Sequence, residues 1–414
     1  MLSTFPTSLI RHLCLLLMLV AALAASGCGP SVGRTTEAEP SFKPAAPVTP
    51  TSVSMWLGSV ERNFYGSGPW PDRPLKVIWE FETRLTSGRL HKDGWGGSSW
   101  PGQPSVSGER VYFGSADGYL YCLNTRDGTL IWSFKTADSL KTTPTIAGNR
   151  VIASGLDHYI YCLDANDGSL IWKFKTGFEV DCSAAVIDGR VYFGGEDGFF
   201  YCLSLEDGAL VYKTERLGSM EGSFSVVEGR IYIGTEQGDL YCLELSDGTT
   251  IWKSRIGADS DSTPAVTNGF VYTAAENGYV YCFKQADGEL VWKFRAEGGL
   301  SRSFKERSGF WASPVVIGGR VYIGSNNGQM YCLSSDKGEV IWQHLVRAPI
   351  WATSPVVDGR VVFGDKSGWM YMLSADDGRR LWELKIGDNV NATPAILGGR
   401  IYIGAFNGKL FCLG

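Results

Sequence analysis

The sequence predicts an all-β protein, an eight-bladed β-propeller of four-stranded antiparallel blades, on three observations. The first is an internal repeat. The run Val111-Tyr112-Phe113-Gly114, Tyr121-Cys122-Leu123, Asp127-Gly128, Ile131-Trp132 recurs from Val151, Val191, Ile231, Val271, Val321, Val361 and Ile401, at a spacing of 40 residues with one step of 50. A period of this length marks an array of supersecondary units. The second is turn chemistry. Asp117-Gly118, Asp197-Gly198, Asn277-Gly278, Asn327-Gly328 and Asn407-Gly408 divide two strands of a unit, and Asp127-Gly128, Asp167-Gly168, Asp207-Gly208, Asp247-Gly248, Asp287-Gly288 and Asp377-Gly378 divide the next two. Such pairs supply the positive backbone angles that two-residue hairpins require. The third is the state of the two ends. Val77-Ile78-Trp79-Glu80-Phe81 matches the end of a unit without its beginning, and Cys412-Leu413-Gly414 leaves a unit without its end. Joined, they make Trp79, Trp132, Trp172, Tyr212, Trp252, Trp292, Trp342 and Trp382 the markers of eight blades. A solenoid would carry capping repeats in place of these complementary halves.

In the second unit the strands are expected at residues 142–147, 150–154, 159–164 and 169–175. The 52 glycines suit a chain with many tight turns. A formal net charge of -5 with scattered lysines and arginines leaves no basic footprint for nucleic acid, and four histidines make a histidine-rich metal site improbable. Seven cysteines, Cys122, Cys162, Cys202, Cys242, Cys282, Cys332 and Cys412, hold one repeat position, with Met372 in the eighth unit. Equivalent points of facing sheets lie about 10 Å apart, beyond disulfide reach, so these are expected to be buried thiols, as is Cys182.

Ahead of the repeats, Leu13 to Ala25 is an apolar run preceded by Arg11 and His12 and followed by Ser26-Gly27-Cys28. It is too short for the roughly 20 residues that cross a bilayer, and it reads as a secretory signal over 1–27. Gly29 to Ser54 is rich in Pro, Ser, Thr and Ala, a composition that cannot bury a core. The expected organisation is therefore a signal over 1–27, an anchor and proline-rich linker over 28–73, and the propeller over 74–414.

Two regions are candidate sites. The insertions at residues 84–100 and 297–310 should share a face, because the loop between second and third strands lies on the same side as the link between blades. Trp95, Trp100, Arg302, Lys305, Arg307 and Phe310 there, with Trp311 and Trp351, are aromatic and arginine-rich in the manner of interface hot spots. The alternative is that these loops only cover the blade tips. The residue opening each innermost strand, Pro101, Lys141, Asp181, Glu221, Asp261, Trp311, Trp351 or Asn391, should ring one channel mouth. Asp181, Glu221 and Asp261 are weak candidates for calcium, and the tryptophans for stacking on a planar ligand; a solvated rim is the plainer reading. The Ser/Thr positions Thr143, Ser183, Ser223, Thr263, Ser313, Thr353 and Thr393 are better explained by strand packing, and no catalytic residue is identified.

The Tyr-Cys-Leu, Asp-Gly, Trp pattern resembles the tryptophan-docking repeat of pyrroloquinoline-quinone-like propellers, over about residues 74–414. That repeat serves quinone- and calcium-dependent dehydrogenases and also non-enzymatic lipoproteins of the BamB family of outer-membrane assembly factors. Ala25-Ser26-Gly27-Cys28 resembles a lipobox, with Ala25 where leucine is usual, which implies lipidation of Cys28. The chain is hardly longer than its blades and has no Cys-Cys pair, and no quinone contact can be carried over. The resemblance thus implies a non-enzymatic scaffold without a cofactor, anchored by lipid on the periplasmic side of a bacterial outer membrane. It would bind envelope proteins as a monomeric subunit of a complex, and no nucleic acid. The alternatives are a quinone- and calcium-dependent enzyme, or a sensor or carbohydrate binder using the tryptophan-rich mouth.

Overall fold

A computed structural model describes residues 52–84, 102–297 and 309–414. The expected signal over 1–27 and Cys28 lie outside the described residues. Among those described, no helix is long and apolar enough to cross a membrane. Eight antiparallel sheets form the body, each running from an innermost to an outermost strand. The eighth is built from both ends of the chain: Val77–Glu82 pairs with Lys409–Leu413, with Val77 opposite Leu413 and Trp79 opposite Cys412. This is the closure that the two half-units predict.

Each blade hands its outer tryptophan to the next. The indole N–H of Trp132 donates to Ala165 O at 3.0 Å, and its ring lies against Gly168, where an added Cβ would fall 2.6 Å from Trp132 Cε3. Gly168 is thus fixed twice, by φ of +74° and by the indole. The link repeats from Trp79 to Thr125 O, Trp342 to Ala375 O and, across the closure, Trp382 to Leu75 O; the Tyr212 hydroxyl substitutes in one blade, donating to Leu245 O. Arg110, Arg150, Arg320 and Arg400 add guanidinium bonds to carbonyls of the following blade's outer turn. The eight described cysteines are free and buried.

Two local expectations change. Neither set of turns is two residues long: those between second and third strands have four, with Gly118 N–H bonded to Ser115 O, Gly118 alone at positive φ and Asp117 Oδ1 accepting from Tyr119 N–H at 3.0 Å, and those between third and fourth have five, as at 125–129, with Gly128 N–H bonded to Asn124 O. The innermost strand of the second blade begins at Thr145, not Thr142. The residues before it bend inward, where the N–H of Thr143 donates to Ser183 Oγ at 3.0 Å in the neighbouring blade.

That bond belongs to a belt. Gln103 N–H donates to Thr143 Oγ1, Ser183 N–H to Ser223 Oγ, Thr263 N–H to Ser313 Oγ, Ser313 N–H to Thr353 Oγ1, Thr353 N–H to Thr393 Oγ1, and Thr393 N–H to Gly102 O. Six of the seven Ser/Thr hydroxyls satisfy an amide of the preceding blade entrance in this way, and the seventh, Thr263 Oγ1, accepts from the Trp56 indole instead.

Residues 52–73, expected as linker, are part of the folded body. Ser52–Val53 adds a fifth strand to the first blade, opposite Val106 and Ser107. The chain then runs along the free edges of the innermost strands: Ile146 N–H bonds Ser54 O, Val226 N–H bonds Val60 O, and, just past another such strand, Gly399 N–H bonds Ser67 O. Trp56 and Leu57 are buried, and the Trp56 indole donates to Thr263 Oγ1 at 2.9 Å. Arg62 is 1% exposed; its guanidinium donates to Phe224 O and Trp56 O at 2.8 Å each, and burial lowers its pKa to about 10. Composition hides this strap because its polar backbone is satisfied by blades distant in sequence.

Trp132→Ala should remove an interblade anchor and leave a cavity against Gly168. A loss of about 3–5 kcal/mol, read as a lower urea midpoint, is expected; an unchanged midpoint would show that the blades cohere without docking.

Candidate functional site: the acidic, indole-walled mouth

The innermost strands converge on a cavity of about 380 Å³, with Trp56 of the strap among its lining residues. The loop between second and third strands is drawn beside the link that enters each blade by one repeated backbone bond: Glu196 N–H to Glu179 O at 3.1 Å, Glu236 N–H to Ser219 O at 3.0 Å, and Glu276 N–H to Asp259 O at 3.0 Å. This confirms the shared face and brings two sets of acidic side chains together.

The carboxylates form two trios. Asp259, Asp261 and Glu276 present oxygens within 4.8 Å of one another, as do Glu196, Glu221 and Glu236. The three residues expected to act together are divided: Glu221 joins one trio, Asp261 the other, and Asp181 pairs with Lys141 at 3.3 Å. Glu196, Glu236, Asp259 and Glu276 were missed because only the strand-opening position was considered. Stacking the repeats one loop further on shows Glu196, Glu236 and Glu276 in register in three successive units.

Burial and mutual repulsion hold these groups protonated above their usual range. Burial, then Asp181 and Glu179, pushes Glu196 up to about 8. Burial, then Asp181 and Glu196, pushes Glu221 up to about 9, although more than a third of Glu221 is open to solvent, which screens part of the effect. Burial raises Asp259 to about 6, and burial with Glu221 and Asp259 raises Asp261 well above a normal aspartate. Lys141 is raised despite its burial, because Asp181 favours its charged form.

Trp311 and Trp351 also line the cavity, their ring centroids 4.0 Å apart. The Trp311 indole donates to Glu276 Oε1 at 2.8 Å, and Lys366 Nζ stands 3.6 Å from the centre of the Trp351 ring. Phe310, expected at a partner surface, is fully buried in the core beside Tyr331, because an apolar ring at the blade entrance packs between sheets. Trp95, Trp100, Arg302, Lys305 and Arg307 lie outside the described residues.

Either trio supplies three of the six to eight oxygens calcium favours. Pyrroloquinoline quinone, the cofactor that the repeat type implies, is a tricarboxylate and requires cationic partners. The mouth offers carboxylates and a lysine already paired with Asp181, so these residues do not fit that quinone.

Comparison with known proteins agrees with the geometry at the level of fold. A family model described as outer membrane protein assembly factor BamB matches residues 76–177, 156–244 and 236–414. Comparison with curated proteins finds no match. Among solved structures, BamB from Moraxella catarrhalis is 18% identical with a TM-score of 0.54, covering 82% of this chain and 99% of its own. A europium-containing methanol dehydrogenase is 14% identical with a TM-score of 0.71, covering 88% and 98%. The quinohemoprotein alcohol dehydrogenase from Comamonas testosteroni is 12% identical with a TM-score of 0.71, covering 88% and 80%.

The raised carboxyl pKa values fix a sign. An unfolded glutamate titrates at about 4.3, so the stabilisation from keeping Glu196 and Glu221 neutral is complete below that pH. It is lost as pH climbs through about 8 for Glu196 and about 9 for Glu221. The thermal midpoint should fall between about pH 5 and pH 9, with Glu221→Gln flattening the decline. A level profile in scanning fluorimetry would contradict the crowding described.

Proposed function

Since the chain belongs to the family of outer membrane protein assembly factor BamB, we propose that it acts as a non-enzymatic accessory factor of the bacterial envelope, binding other envelope proteins through the face that carries the cavity mouth. The supporting observation is the placement of the residues at the ends of both long insertions. Arg84, which opens the first, donates its N–H to Asp117 Oδ2 at 3.0 Å. Phe310, which closes the second, donates its N–H to Ala275 O at 3.1 Å. Both acceptors sit in loops between second and third strands, so Arg84 and Phe310 both stand on the mouth side of the propeller, where loops commonly carry recognition. A mouth lined by carboxylates disfavours the quinone-dependent alternative.

In this reading Cys28 is acylated and holds the propeller on the periplasmic side of the outer membrane, through a proline-rich tether that ends where Ser52 joins the first blade. Several acyl chains on one residue give durable attachment, at about 0.8 kcal/mol per buried methylene.

Two experiments test these assignments. Pull-down from solubilised envelopes, with bound proteins identified by mass spectrometry, should recover outer-membrane assembly proteins with wild type and lose them when residues 84–97 are deleted. Equal recovery would remove that loop from the interface. Metabolic labelling with an alkyne fatty acid in a bacterial host should mark the wild type and not Cys28→Ser; an unlabelled wild type would refute the anchor.

A further inference from the structure

The mouth cavity has two unlike walls. Asp181, Glu221, Asp259 and Asp261 supply one kind of lining and the indoles of Trp56, Trp311 and Trp351 the other, and the two meet where the Trp311 indole bonds Glu276. The absence of a side chain at Gly222 lets the backbone of the next blade close in: an added Cβ there would fall 2.5 Å from Asp261 O, which brings Glu221 alongside Asp261. Oδ1 of Asp181 is sealed from solvent and has no hydrogen-bond partner among the described residues, and Oδ1 of Asp259 and of Asp261, equally sealed, have no partner beyond the bond that the two carboxyl groups can make to each other. Buried acceptors in this state are destabilising until a donor reaches them.

A bare metal ion would engage the carboxylates and leave the indoles unused. A group with positive charge, N–H donors and an apolar stem would engage both walls, since indole faces attract cations and cover alkyl chains. The fold already seats one ammonium this way, Lys366 on Trp351. At about 380 Å³ the cavity admits a chain of lysine or arginine length.

We propose that this cavity binds an organic cation, an ammonium or guanidinium group on a linear chain, with its charged head at Asp261 and Glu221 and its stem along Trp56 and Trp311. The site stands on the cavity and not on the partner-binding reading, so the two can fail separately. The same chemistry is available from a soluble diamine or from a lysine or arginine side chain of another protein.

Titration of the purified full chain with 1,5-diaminopentane, N-acetyl-arginine amide and its neutral isostere N-acetyl-citrulline amide, followed by calorimetry and tryptophan emission, tests it. Both cations should bind and shift the emission, and the citrulline compound should not. Asp261→Asn should weaken binding about tenfold or more, and Trp311→Leu by a smaller factor. Glu221→Gln, at the more exposed position, serves if Asp261→Asn does not fold. Tighter binding of the diamine assigns the site to a soluble ligand, and tighter binding of the arginine compound to a protein side chain; both outcomes support the proposal. Equal response to citrulline, no response to either cation, or saturation by calcium chloride with the organic cations silent would each overturn it.

Discussion

The pairing of Val77–Glu82 with Lys409–Leu413 is the constraint on which everything else depends. Forty-residue units of this kind cannot each bury a core alone, and an open row of them would end in two unpaired sheets. Closing the row makes each outer-strand tryptophan a contact between neighbours, including Trp382 to Leu75 O at the seam. It also lets the hydroxyl belt run on from Thr393 to Gly102 O. Only in a closed ring do the blade entrances converge on an axis, and only there can residues 40 apart in sequence become the walls of one cavity.

Most of the architecture was legible because the repeat is written in residues with narrow conformational roles. Gly168 must turn, Trp172 must dock and Cys162 must fit between sheets, and each recurs at its place. The strap was not legible. Trp56, Arg62 and Tyr65 follow no period, and their partners at Thr263, Phe224 and Val316 lie more than 150 residues away. The mouth was half legible. Strand-opening residues could be ranked from the repeat, whereas the regrouping into two trios depends on the backbone bond that folds Glu276 onto Asp259. A spacing can place a carboxylate on a rim, but the neighbour it faces is set by the loop's curvature. Phe310 shows the converse error, since its sequence setting among arginines suggested a surface and its burial makes it core.

Charge around the mouth is unevenly shared. The carboxylates come from successive units at Asp181 and Glu196, Glu221 and Glu236, Asp259, Asp261 and Glu276, while the next two units place Trp311 and Trp351 at the same rank. The repeat holds the backbone nearly constant, so this division is made by side chains alone. Sequence drift at a few rim positions can thus retune what the mouth prefers without disturbing the sheets beneath, a separation of scaffold from site that propellers allow.

Trp56 gives this division a fixed heading. A disc of eight near-identical sectors has no front, and a partner approaching it could settle at any of several equivalent rotations. By threading one indole to Thr263, beside the two carboxylate groups, the strap singles out one sector and marks it from the axis outward. The molecule thereby acquires a compass bearing: whatever docks on the rim can be oriented about the axis as well as centred on it.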